Sequence, residues 1–177
     1  MASIRFTFAR LDSLELRLCR RLNRCVSMST VRRLFAIASR LGDGPVWYLL
    51  MASMPLLRGE RAVRPVLIMA ATAAGGHLIY AALKRTFVRE RPFVAHAEIA
   101  PAGAPLDRYS FPSGHTLHAV SFTWQAVAHF PETGWILVPL ALLIGASRVV
   151  LGLHYPTDVV AGAALGSVLG AAAVTLA

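Results

Sequence analysis

The sequence predicts an all-α, integral-membrane bundle of about five helices behind a basic, amphipathic N-terminal helix. Three observations predict it. The apolar share is 56% and the mean hydropathy is +0.57, well above a soluble domain of ordinary composition. Only 15% of the 177 residues are charged, too few to coat a water-facing surface. Uncharged runs also recur along the chain at lengths close to the roughly 20 residues a helix needs to cross a bilayer.

The elements follow in order. Residues 1–33 carry Arg5, Arg10, Arg17, Arg20, Arg21, Arg24, Arg32 and Arg33, while Leu11, Leu14, Leu18 and Leu22 recur at helical spacing. That pattern predicts an amphipathic helix lying on a membrane surface, as a unit separate from a membrane-embedded domain over residues 34–177. Arginine interrupts every apolar run of the first thirty residues, so they do not read as a signal peptide. Residues 34–43 predict a short interfacial helix, with a re-entrant turn or sixth crossing there as the alternative. Gly42, Asp43, Gly44 and Pro45 then punctuate the chain, and Asp43 reads as a cap on the span that follows.

The first apolar run, 46–57, is short for a span. After a basic turn over 58–64 comes the second, 65–83, without a formal charge. Residues 84–113 form a long polar loop containing Pro92, Pro101, Pro105 and Pro112. The third run covers 114–130, and a tight turn over 131–134 leads to the fourth, 135–147, which continues toward Leu153. The fifth, 159–177, carries Gly162, Gly166 and Gly170 four apart on one face, where small side chains let helices approach closely in lipid.

The net charge of +9 sets 17 arginines and Lys84 against nine acidic residues. Nucleic acid is not the expected partner, because the basic residues are interleaved with long apolar runs; an anionic membrane surface or substrate is. Cys19 and Cys25 read as free thiols without zinc spacing. No carboxylate cluster is suited to magnesium or zinc, so neither a metal nor a cofactor is expected. The sequence leaves the oligomeric state open.

With five spans, parity puts the end of the second, the start of the third, the end of the fourth and the start of the fifth on one side of the membrane. Three polar clusters sit at those ends: residues 84–92, residues 111–116, and Ser147-Arg148 followed by His154 and Asp158. If their segment is helical, His154 and Asp158 share a face. A carboxylate on Nδ1 would then leave Nε2 bare and nucleophilic. Arg148 presents a planar fork suited to phosphate. Ser113 and Gly114 precede a helix, where free N–H groups and a close backbone approach favour an anion. His115 stands where it could give a proton to a leaving oxygen. Lys84 and Arg91, if helical, lie two turns apart on one face, with Pro92 ending that helix. Arg85, Arg89 and Arg108 are left to a head group or to surface phosphates. His118 reads as packing and His77 as a mid-span hydrogen-bonding residue.

These clusters resemble the signature of the type 2 phosphatidic acid phosphatase family, which shares its site with vanadium haloperoxidases. The signature is a KxxxxxxRP stretch, matched by Lys84 to Pro92; a PSGH stretch, matched by Pro112 to His115; and an SRxxxxxHxxxD stretch, matched by Ser147 to Asp158. The resemblance covers about residues 42–177. It implies His154 as nucleophile, Asp158 as its partner and His115 as general acid, with Lys84, Arg91, Ser113, Gly114 and Arg148 holding the phosphoryl oxygens. It implies a metal-independent lipid phosphate or diphosphate phosphatase working through a phosphohistidine. Undecaprenyl diphosphate is the first choice of substrate, since the small compact form resembles bacterial members; phosphatidic acid, phosphatidylglycerol phosphate and lipid A 1-phosphate are others. A lipid phosphotransferase with the same phosphoenzyme, a haloperoxidase and a non-catalytic lipid-binding protein are the competing readings. The resemblance implies a bacterial inner membrane with the site facing the periplasm or outer side, whereas arginines on the site's own side argue for the cytoplasm.

Overall fold

A computed structural model describes residues 9–176 of the chain, with side chains over 13–176. The stretch of amphipathic helix expected over residues 1–8 lies outside them. Within the described residues eight α-helices follow one another: α1 (Ala9–Asn23), α2 (Ser29–Leu41), α3 (Pro45–Arg58), α4 (Val63–Thr86), the single turn α5 (Pro92–Ala95), α6 (Gly114–His129), α7 (Gly134–Val150) and α8 (Pro156–Leu176). No strand occurs among the described residues. The all-α reading therefore holds.

The bundle is apolar outside and buries charged side chains at one end of an otherwise hydrophobic core. Leu56, Leu67, Leu78, Trp135, Ile136, Leu142 and Val168 lie on its exposed surface, while Lys84, Arg91, Arg148, His154 and Asp158 are buried. That inversion is what a lipid solvent selects. Among the described residues, three stretches are long and apolar enough to cross a membrane: Pro45–Thr86, which folds back on itself as α3 and α4, Pro131–Val150 and Pro156–Leu176. The 16-residue α6 is the central helix, packed against α4, α7 and α8.

The helices run between two distinct ends. At one end Arg58 pairs with Glu132 and stacks over Phe130, and Arg64 Nη2 donates to Leu176 O. The α3–α4 turn, the α6–α7 turn and the C-terminal end of α8 therefore lie together. At the other end are the polar clusters. α2 stays there as well. Val26, just before it, packs with Val150, Leu151 and Leu153, and Ser39 near its end meets Arg148. Residues 34–43 thus lie along the site end instead of crossing the bundle.

α1 docks through an unexpected face. Leu14 and Leu18 point outward, and the buried stripe is Glu15, Cys19 and Asn23. Asn23 ties the helix down: its Nδ2 donates to Ala100 O and Val150 O, each at 3.0 Å, and its Oδ1 accepts from Ala100 N. The leucines are left free to face lipid.

The glycine stripe of α8 is the closest helix contact. A Cβ on Gly162 would stand 2.5 Å from Ser113 O, one on Gly166 2.4 Å from Leu117 O, and one on Gly170 2.7 Å from Trp124 Cβ. Only glycine lets α6 backbone come this near.

Two local expectations need correction. Lys84 and Arg91 do not share a helix: α4 stops at Thr86, Arg91 is extended (φ −74°, ψ 151°), and Pro92 opens α5. The pyrrolidine ring disfavours helical geometry in the residue before it and suits the first helical position. His154 and Asp158 do not share a helix either. Residues 151–155 form a turn around Gly152 (φ +75°), and Asp158 lies in the first turn of α8.

Candidate active site

The end of α4, the loop after it, the start of α6 and the α7–α8 turn enclose one cavity of about 440 Å³. Lys84, Arg91, Gly114, His115, Arg148 and His154 line it. Asp158 stands behind His154, fully buried. Ser113 lies behind the wall. Its N–H donates to Asp158 O at 3.0 Å and its Oγ is 3.0 Å from Thr116 Oγ1, so it braces the site from outside the cavity.

His154 is defined by its neighbours. Arg91 Nη1 sits 3.1 Å from Nε2, and a guanidinium can only donate. Nε2 is therefore the bare nitrogen and Nδ1 carries the hydrogen. Nδ1 faces Asp158 Oδ2 at 3.6 Å, just outside hydrogen-bond reach, and has no other partner. Oδ2 itself accepts from Tyr155 N at 2.8 Å. Burial pushes the imidazole pKa down to about 3, against the opposing pull of Asp158. The ring is therefore neutral near pH 7.

That shift makes a prediction. A histidine protonated near pH 6.5 when unfolded but near 3 when folded binds fewer protons in the native state across that window. Native stability should therefore fall as pH drops from 6.5 toward 3 and be unaffected by this group above 6.5. Thermal unfolding of wild type and His154→Gln across pH 4 to 8 reads it: the variant should show a flatter acid limb.

The cations converge. Arg91 Nη1 also donates to Leu153 O at 2.8 Å, and Arg91 Nε donates to Asp107 O at 3.0 Å. Arg148 is 1% exposed, its Nη1 donates to Ser39 Oγ, and its Nε has no partner. Arg148 lines the cavity, and a guanidinium with an unpartnered N–H there suits a phosphate oxygen.

Four further residues shape the site and were not singled out from sequence as parts of it. Asp107 Oδ1 accepts from Lys84 Nζ and Arg91 Nη2, each at 2.8 Å. Burial opposes its charge, yet the bonds and charges of Lys84 and Arg91 hold its pKa below the usual carboxylate range. Asp43, expected to cap a span, instead accepts from His115 Nε2. Arg89, left to a head group by sequence, donates from Nη1 to Asp158 Oδ1 at 2.7 Å, and from Nη2 to Glu15 Oε2 at 2.7 Å. Among the described residues, no three His, Cys, Asp or Glu side chains are grouped so as to hold a metal ion.

Below the cations the cavity turns apolar. Tyr80 and His118 meet edge to face, His118 stacks on Phe122, and Trp47, Met51, Ala73 and Ala74 follow between α3 and α4. His77 and His118 thus face this cavity.

A family model described as the PAP2 superfamily matches residues 65–177. The chain belongs to the PAP2 superfamily. Its relatives within it are membrane phosphatases, and the chain is a phosphatase that hydrolyses phosphate esters or diphosphates. A decaprenylphosphoryl-5-phosphoribose phosphatase of Mycobacterium tuberculosis is 35% identical over 135 residues, 75% of this chain and 73% of that one. The undecaprenyl-diphosphatase BcrC of Bacillus subtilis is 31% identical over 124 residues, 69% of this chain and 63% of its own. Among solved structures, Aquifex aeolicus LpxE superposes with a TM-score of 0.77 at 27% identity, covering 92% of this chain and 95% of that one. A PAP2-type phosphatidylglycerolphosphate phosphatase from Bacillus subtilis shares the fold, with a TM-score of 0.76 at 24% identity over 95% of this chain and 86% of its own. This PAP2 phosphatase is an integral membrane protein by the same comparisons and by its apolar exterior.

Proposed function

We propose that this PAP2 phosphatase removes phosphate from a polyprenyl lipid, with undecaprenyl diphosphate the favoured substrate, through a phosphohistidine on His154 and without a metal. The observation that carries the reading is the 3.1 Å approach of Arg91 Nη1 to a bare His154 Nε2, beside the open Nε of Arg148. Nε2 attacks phosphorus as the bond to the leaving oxygen breaks. His115, paired with Asp43, gives that oxygen its proton. Water then attacks the phosphohistidine, His115 takes the water's proton, and the N–P bond breaks to release phosphate. Lys84, Arg91, Arg148 and the backbone at Gly114 hold the equatorial oxygens, with Ser113 bracing the helix start. Phosphoryl transfer asks mainly for positioning and charge stabilisation, and three cations can supply the charge a metal would bring.

The apolar lower cavity supports a lipid substrate whose tail leaves between α3 and α4. Two of the relatives described above are named for polyprenyl substrates, which favours that tail. The test is phosphate release by purified protein in EDTA across undecaprenyl diphosphate, decaprenylphosphoryl-5-phosphoribose, phosphatidic acid, phosphatidylglycerol phosphate and lipid A 1-phosphate. The polyprenyl substrates should show the highest kcat/KM, and EDTA should leave it within twofold. Loss on chelation with recovery on magnesium overturns the metal-free mechanism. Phosphate appearing on an added acceptor instead of in solution makes the enzyme a phosphotransferase.

We also propose the bacterial inner membrane, with the site end facing outward as the resemblance implies. The arginines of α1 and α2 lie at that same end and weigh the other way. Exposed Cys25 reports the side. A membrane-impermeant thiol reagent should label it in intact spheroplasts; labelling only after permeabilisation reverses the orientation.

A further inference from the structure

We propose that Glu15 of α1, outside the segment matched by the family, is a positioning residue for catalysis that acts through Arg89 on Asp158. The inference rests on the histidine-nucleophile reading and extends it to the N-terminal helix.

The geometry is a buried relay. Glu15 is 6% exposed, in a helix whose Leu14 and Leu18 face outward. Its Oε2 accepts from Arg89 Nη2 at 2.7 Å, and its Oε1 accepts from Thr157 N at 2.7 Å. That N–H belongs to the first turn of α8 and has no partner within the helix. Arg89 continues the chain: Nη1 donates to Asp158 Oδ1 at 2.7 Å and to Thr157 Oγ1 at 2.8 Å. Its guanidinium also lies over the Tyr155 ring, 3.9 Å from the centroid. Asp158 then faces His154 Nδ1. A carboxylate is costly to bury, and hydrophobic residues could have docked α1 without that cost.

Charge gives the relay its purpose. When His154 Nε2 attacks phosphorus, the ring becomes cationic, in a site already crowded by Lys84, Arg91 and Arg148. Asp158 with Arg89 alone is a neutral pair. Asp158, Arg89 and Glu15 together carry one net negative charge. Glu15 therefore leaves a negative charge behind the imidazole to offset the positive charge that develops only during attack. An interaction made chiefly in the transition state acts on kcat and spares KM.

Glu15→Gln keeps the shape and one acceptor contact, removes the charge, and sets an amide N–H2 against the other donor. With whichever lipid phosphate the wild type hydrolyses best, it should lower kcat about tenfold with KM within twofold, the scale of loss seen when an outer-shell partner is removed. In an Arg89→Gln background the same change should cost nothing further, because the two residues act in series. Asn23→Ala, which cuts the other tether of α1, should lower Tm while keeping kcat. If Glu15→Gln does not accumulate folded, Glu15→Asp serves: the shorter carboxylate cannot span Arg89 and Thr157 together and should lose about threefold or more in kcat. Wild-type kcat in the folded Glu15 variant overturns the proposal, as do losses that multiply with Arg89→Gln. A wild type inactive on every lipid phosphate would instead count against the functional reading itself.

Discussion

His154→Ala should reduce phosphate release by at least about a thousandfold and leave the protein folded. Removing a nucleophile takes away the covalent path, and catalytic groups that act as a unit fail together. The residue is 1% exposed and sits in a turn outside the helices, so the variant leaves a small cavity and should fold. Quenching wild type and labelled substrate in alkaline detergent should trap a phosphoenzyme that is stable to alkali and labile to acid, and the variant should show none. Turnover surviving the substitution would move the attacking group elsewhere.

The largest structural effect is expected at Gly166. Gly166→Ala places a methyl 2.4 Å from Leu117 O, and that oxygen belongs to the α6 backbone, which cannot rotate aside. The two helices must separate along their whole seam. Overpacking of this kind should cost about 3 kcal/mol or more, a fall in Tm of roughly 10 °C for a chain of this size. Gly75→Ala is the matched control: it lies inside α4 with nothing within 4 Å of an added Cβ. Helix propensity alone should make it neutral or stabilising by about 0.5 kcal/mol. Equal Tm changes in the two variants would show that the glycine seam does not hold the bundle.

The fold class was legible because its signals are local. Hydropathy marks the helices, and glycines four apart mark the α8 face that meets α6. Lys84, Arg91, His115, Arg148 and His154 could be expected together because parity alone gathers their span ends. What sequence did not disclose was how each is held. Glu15 carries no local signal in its arginine-rich helix, and its partner Arg89 is 74 residues away. Asp43 sits between two glycines, where a capping role is the local reading, but its partner His115 is 72 residues on. Such pairs carry no periodicity; they exist only once the helices are docked. The helix expected through Arg91 failed for a local reason: Pro92 weighed on the residue before it as well as after.

The seam between α6 and α8 has a mechanical consequence. Ser113 and Leu117 carbonyls rest on glycines of α8, and Ser113 N–H is bonded to Asp158 O. His115 rides on the first of these helices and His154 just precedes the second, so the two imidazoles belong to one stiff frame. The α3–α4 hairpin has no such backbone lock; it leans on α6 through side chains, Trp47 on Phe122 and Tyr80 on His118. Accommodation of bulkier or slimmer tails therefore falls to the hairpin, and the spacing between the two imidazoles stays constant whatever lipid enters.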